Sequence, residues 1–213
     1  MTGKEKEEKS DLIVLGIAGP SGSGKSTLVR NLITFFDGSD NMHYDDYEPN
    51  YDRLTNDLED LRNGKTISYP TNNRQIQPRK FIIIEEPTGR QRQGMDNKID
   101  FLVYINVPLE ISFARVLLRS IEQSTDNSIN SFYETIGPQF TPRFSEKPTK
   151  LMHIQHWQLS MYIKEHRQIY LRDHNFHLND ADLIIDGMKN PDDLADEIKE
   201  KFSEWLLGQG YSK

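Results

Sequence analysis

A three-layer α/β fold, with a parallel sheet between two layers of helices, is predicted by three features of this 213-residue sequence. Short apolar runs recur along the chain, segments with apolar residues at helical spacing alternate with them, and glycines or acids follow several of the runs. Runs of this kind suit strands buried on both faces of a parallel sheet. Alternation of strand and helix implies parallel pairing through crossover helices.

The first run covers residues 12–18 (Leu-Ile-Val-Leu-Gly-Ile-Ala), and others cover 81–84, 101–107 and 181–185. Between them, residues 26–36 carry Leu28, Val29, Leu32, Ile33 and Phe36 at helical spacing, and 109–121 carry Ile111, Ala114, Leu117, Leu118 and Ile121. Residues 151–172 read as one long mixed helix. The last helix has a start signal, Asn190 before Pro191-Asp192-Asp193, and places Leu194, Ile198, Trp205 and Leu206 on one face with Gly208 at its end. Residues 38–50, 69–80, 86–98 and 123–150 are expected to be loops. The charged stretch 1–10 reads as a solvated tail, 11–208 as one domain, and 209–213 as a short tail.

Composition narrows the function classes. A net charge of -7 argues against a nucleic-acid surface, which needs a basic stripe. The absence of Cys excludes disulfides, thiolate metal sites and a Cys nucleophile. The start is charged rather than apolar, and every apolar run falls far short of the ~20 residues that span a bilayer. A cytoplasmic protein with no membrane partner is expected, and nothing bears on oligomeric state.

One motif carries the chemistry. Gly19-Pro20-Ser21-Gly22-Ser23-Gly24-Lys25-Ser26-Thr27 fits G-x-x-x-x-G-K-[ST], between the first apolar run and the first helix. Its glycines let successive backbone N–H groups turn onto phosphate oxygens, and the helix N-terminus faces the same anion. Lys25 is expected to reach the β- and γ-phosphates of ATP, and the Ser26 hydroxyl to ligate Mg²⁺. The chain is therefore read as a P-loop nucleotide-binding protein, with five strands in the order 2-3-1-4-5.

Such a site needs a carboxylate at a neighbouring strand tip to complete the metal shell. Glu85, the first acid after residues 81–84, is the candidate, although solvated acids also end ordinary strands. Transfer to an alcohol benefits from a carboxylate that accepts the hydroxyl proton. The acidic pair in His43-Tyr44-Asp45-Asp46-Tyr47 lies where the second strand should end, and its alternative reading is a solvated turn.

Taken in order, these segments resemble the uridine kinase and phosphoribulokinase branch of P-loop kinases, which includes nicotinamide riboside kinase. Tyr44-Asp45-Asp46-Tyr47 is similar to that branch's Asp-Asp-aromatic element, which implies Asp45 as base. Residues 58–65 with Ile67 and Pro70 resemble its helix, Gly-Lys turn and proline before a strand. Ile82 to Glu85 resembles its apolar run ending in a magnesium-site Glu. Ala114-Arg115 and Leu118-Arg119-Ser120-Ile121 resemble its lid helix, so residues 109–150 are expected to form a lid. Residues 181–185 resemble its late strand near the adenine. The resemblance implies ATP and Mg²⁺ as cofactors and a small-molecule acceptor as partner.

The departures are specific. Glu86-Pro87-Thr88-Gly89-Arg90 stands where Gly usually follows the strand Glu, Val116 replaces one lid arginine, and Glu122-Gln123-Ser124-Thr125-Asp126 replaces a basic stretch. Thr71-Asn72-Asn73-Arg74 replaces the uridine kinases' Tyr and His. Arg115 and Arg119, four apart on one helical face, are candidate arginine fingers or a solvated basic face. Arg90 and Arg92 lie after Glu85, where an Arg could grip an acceptor, and Tyr51 is a candidate lining residue by position alone. His153-x-x-His156 and His174-x-x-His177 have spacing compatible with a metal but no Cys partner, so packing is expected.

The expected activity is ATP-dependent phosphorylation of a nucleoside- or sugar-like hydroxyl. The alternatives are a kinase for another acceptor (a nucleotide, pantothenate or a glycerate-like acid) and a non-catalytic nucleotide-dependent switch.

Overall fold

The computed structural model describes residues 12–36, 38–122 and 149–211. The tail at 1–10 and most of the expected lid loop lie outside the described residues. Elements in chain order are β1 (Ile13–Ala18), α1 (Lys25–Phe35), β2 (Asp40–His43), α2 (Asp52–Arg62), β3 (Ile67–Ser68), β4 (Gln75–Ile76), β5 (Phe81–Glu85), β6 (Phe101–Asn106), α3 (Leu109–Glu122), α4 (Lys150–Met161), α5 (Arg167–Asp180), β7 (Leu183–Asp186) and α6 (Pro191–Gly208). Short 3₁₀ turns follow β2 (Tyr44–Tyr47) and β5 (Gly89–Gln91), and a π-helical turn, Tyr162–His166, joins α4 to α5.

The main sheet is parallel, ordered β2-β5-β1-β6-β7, which is 2-3-1-4-5 once the small β3-β4 hairpin is set aside. Every residue of β1 is buried, as its unbroken apolar run requires in a central strand. One face packs Leu28, Val29 and Leu32 of α1 with Leu194, Ile198 and Phe202 of α6. The other packs Leu54, Leu58 and Leu61 of α2 and the hairpin residues Ile67, Tyr69 and Ile76. Asn190 caps α6 through its side chain, which accepts from Asp192 N at 2.9 Å. Tyr211, in the expected C-terminal tail, packs partly against the α6 side of the core.

Two segments expected to be loops contain strands. β2 reads Asp-Asn-Met-His with only Met42 buried, because an edge strand pairs on one side and needs little apolar content. β4 lies within 69–80 and forms a two-residue ladder with β3, too short to leave a periodic signal. The long helix starts at Lys150 and runs on to Asp180, interrupted by the π-turn.

β1, β5 and β2 end side by side, with Ile17 opposite Glu85 and Glu85 opposite His43. This register brings three separate motifs to one end of the sheet. In an open parallel sheet, ligands bind at that carboxyl end.

Candidate active site

The P-loop follows β1 as predicted. Gly19, Gly22 and Gly24 all have positive φ, so the backbone adopts angles that other residues rarely reach. Gly24 is the N-cap of α1, which carries no side-chain cap, leaving its first-turn amides to an anion. Ser21, Ser26 and Thr27 are exposed, whereas Ser23 is buried and its Oγ lacks a partner. A Cβ on Gly22 would lie 2.1 Å from the Ser112 carbonyl oxygen of α3, while one on Gly24 would meet nothing within 4 Å. Gly22→Ala is therefore expected to destabilise the protein by more than the ~1–3 kcal/mol of backbone strain alone. Gly24→Ala carries only that strain, and thermal melts of the two variants compare them directly.

Lys25 is buried and turned back on its own loop. Its Nζ donates to Gly19 O at 2.9 Å and Pro20 O at 3.1 Å and lies 3.9 Å from Glu85 Oε1. Burial pushes its pKa down, although Glu85 and Asp45 pull it back up. At Glu85, burial raises the pKa, but the His43 hydrogen bond, Lys25 and the Ser26 hydroxyl outweigh it and hold the carboxyl below its ordinary value. A strand-tip carboxylate linked to Ser26 supplies the hard oxygen donors that Mg²⁺ takes alongside phosphates and water. The residues present fit that ion.

Asp45 lies in the 3₁₀ turn after β2, within the electrostatic reach of Lys25 and Glu85. Burial pushes its pKa up, Glu85 adds to this, and Lys25 opposes it. The structure separates the acidic pair, because Asp46 accepts a 2.6 Å hydrogen bond from Tyr69 and Asp45 has no such tie. Arg74, in the segment that departs from the uridine kinases, stacks on Tyr69 and pairs with Asp40. It braces this turn.

Glu86 is fully buried and accepts from Arg92 Nε at 2.9 Å and Nη2 at 2.7 Å. Arg92 lies over the ring of Tyr44, which stacks on Tyr51 at 4.3 Å. Tyr51 therefore sits beside the turn that carries Asp45. The residue that replaces the usual Gly thus anchors a wall of that turn. Arg92→Ala would leave Glu86 buried without its charged partner, with only Thr88 still donating to it, a loss of about 3–5 kcal/mol. A fall in melting temperature of about 6–20 degrees is expected for a domain of this size; a shift of a degree or two would contradict it.

Arg90, expected to grip an acceptor, is instead found bonded within the fold. It donates to Ile99 O, Asp100 O, Asp180 O and Asp182 Oδ2, clamping the C-terminal end of α5 to β6. These bonds engage four of the guanidinium's five N–H groups. Arg115 and Arg119 part company in the same way. Arg115 donates to Gly187 O from both terminal nitrogens at 3.3 Å, just past the tip of β7, whereas Arg119 is near enough to Lys25 to depress its pKa.

Arg119 also lines a cavity of about 310 Å³ with Ser21, Phe113, Val116, Trp157, Gln158, Tyr162, His166 and Tyr170. The π-turn brings Tyr162 and His166 to this cavity together, and Tyr162 stacks on Phe113 at 4.1 Å. Such turns in helices are frequent at functional sites. His174 and His177 pack on Tyr104, with His174 Nδ1 at 2.9 Å from its hydroxyl. Among the described residues, no group of three or more His, Asp or Glu is arranged to hold a metal. No described helix is long and apolar enough to cross a membrane. The sequence reading missed His43, Tyr69 and Arg74, whose roles depend on β2.

No protein-family model matches the chain. Among curated proteins, it is 26% identical over 176 residues to a uridine kinase of Macrococcus caseolyticus, covering 66% of this chain and 85% of that protein. It is 28% identical over 176 residues to a uridine kinase of Haemophilus ducreyi, covering 64% and 81%. Solved structures similar to it include a possible uridine kinase from Bacillus stearothermophilus (22% identity, 55% of this chain and 84% of that chain, TM-score 0.38). Another is shikimate kinase from Aquifex aeolicus (16% identity, 92% and 99%, TM-score 0.44). The curated similarities support a small-molecule kinase on a P-loop frame, and the sheet order carries the fold independently.

Proposed function

We propose that this chain transfers the γ-phosphoryl group of ATP to a hydroxyl of a nucleoside- or sugar-like small molecule. The observation that carries the reading is the meeting of Lys25, Glu85 and Asp45 at the adjoining tips of β1, β5 and β2.

The loop amides from Gly19 to Thr27 bind the phosphates, and Lys25 leaves its carbonyl partners to pair with the β- and γ-oxygens. Ser26 and Glu85 would hold Mg²⁺, which neutralises charge on the phosphate oxygens. Asp45 accepts the proton of the acceptor hydroxyl as its oxygen bonds to phosphorus and ADP leaves. Arg119 faces charge on the group in transit, while Arg115, held at the tip of β7, serves the nucleotide's other end.

The stacked rings of Tyr44 and Tyr51, beside the turn that carries Asp45, suit an acceptor with a flat ring. Arg90, a candidate for gripping the acceptor, is engaged elsewhere. A panel of nucleosides, sugars, pantothenate and glycerate with ATP, read by ADP release, tests the assignment. Stimulation by nucleosides or sugars supports it. Stimulation by glycerate or pantothenate alone would replace the acceptor class, and ATP binding without stimulation by any acceptor would favour a nucleotide-dependent switch.

A further inference from the structure

Resting on the phosphoryl-transfer reading, we infer that His43 is the positioning residue that aims Glu85 at the divalent cation. His43 and Glu85 are register partners at the tips of β2 and β5, and His43 Nδ1 lies 2.9 Å from Glu85 Oε2. The other ring nitrogen, Nε2, lies 2.6 Å from the side-chain amide nitrogen of Asn41. An amide nitrogen only donates, so Nε2 is the acceptor and Nδ1 carries the proton that Glu85 receives. Asn41 is two residues back on the same strand, where the pleat puts both side chains on one face.

The backbone beneath the ring is also fixed. His43 N donates to the Tyr69 hydroxyl at 2.9 Å, and that hydroxyl donates in turn to Asp46. The result is a directed chain, from the Asn41 amide through the His43 ring to Glu85 Oε2. Oε1, the other carboxylate oxygen, is left facing Lys25 at 3.9 Å, on the P-loop side. A carboxylate gripped by one oxygen presents the other in a set direction. Groups that ligate metals are commonly held by such outer hydrogen bonds, and loss of one typically weakens metal affinity about 10–100-fold.

Asp45 lies two residues further on, so one strand tip carries both the orienting group and the base. The two should nevertheless separate by experiment, because His43 acts on the cation and Asp45 on the acceptor.

The test uses Mn²⁺ as probe, with the full chain and a non-hydrolysable ATP analogue, and counts free Mn²⁺ by electron paramagnetic resonance. His43→Leu is expected to weaken nucleotide-dependent Mn²⁺ binding about 10–100-fold. Its affinity for the analogue in EDTA should stay at the wild-type value. His43→Asn, whose amide can donate from near the Nδ1 position, should recover most of the loss. Should His43→Leu not fold, His43→Gln takes its place, since its longer amide reaches towards the Nε2 position.

Wild-type Mn²⁺ binding in the variant, an equal loss of metal-free analogue affinity, or no recovery with Asn would each overturn the inference. Absence of nucleotide-dependent Mn²⁺ binding in the wild-type protein would instead remove the phosphoryl-transfer reading, and this inference with it.

Discussion

Replacing Asp45 by Asn is expected to lower turnover by about 10²–10⁴-fold, the usual worth of a positioned general base, while ATP affinity stays at its wild-type value. Burial, with Glu85 adding to it, raises the pKa of Asp45, so the folded protein holds its proton more tightly than the unfolded chain does. The stability contributed by that tighter proton is fully present below the unfolded pKa. It is lost as pH rises through the higher folded value. At neutral pH the ionised carboxylate therefore costs stability, and Asp45→Asn should melt above the wild type at pH 7. The gap should close as the pH falls below the ordinary aspartate value, where both proteins carry a neutral side chain. Turnover of the wild type should rise with pH through the same raised pKa. A variant that keeps its turnover removes Asp45 from the role of base. One that melts lower at neutral pH shows a structural carboxylate instead.

Replacing Arg119 by Ala is expected to lower turnover by about 10³-fold, the lower end of what an arginine finger contributes. The same change at Arg115 should raise the KM for ATP and leave turnover much closer to wild type. Spacing alone makes the two residues equivalent, but their partners do not. Arg115 is bonded to Gly187 O beyond β7, whereas Arg119 lies close enough to depress Lys25 and borders the same cavity as Ser21. Steady-state kinetics on both variants separates the roles. Equal losses of turnover would restore the paired reading, and none in either would assign both to a basic surface.

The frame of the fold is plain in the sequence because its central strands are buried on both faces. β1 has to be apolar along its length, β5 and β6 up to their last residue, and the P-loop has to be rich in glycine. Glu85 could be singled out because an acid directly after such a run stands at a strand tip. The edge of the sheet follows different physics. β2 buries Met42 alone, so its polar residues carry no strand signal, and with it the partnerships of His43 were hidden. The partners of Arg90 and Arg74 were hidden for a related reason. An arginine in a loop looks free in one dimension, yet Arg90 meets a carbonyl and a carboxylate about ninety residues away and Arg74 meets β2. The π-turn at Tyr162–His166 has no residue pattern of its own, so the helix around it reads as continuous while two ring side chains are re-aimed.

Phosphorus-31 magnetic resonance of the protein mixed with ATP, Mg²⁺ and uridine follows the terminal phosphoryl group itself. Transfer predicts that the γ-signal is replaced by ADP signals and a phosphomonoester resonance that grows in step with them. With sugars or other nucleosides in place of uridine, the same pairing should hold for whichever acceptor is used. Formation of inorganic phosphate alone, or an unchanged ATP spectrum with every acceptor, would contradict the account.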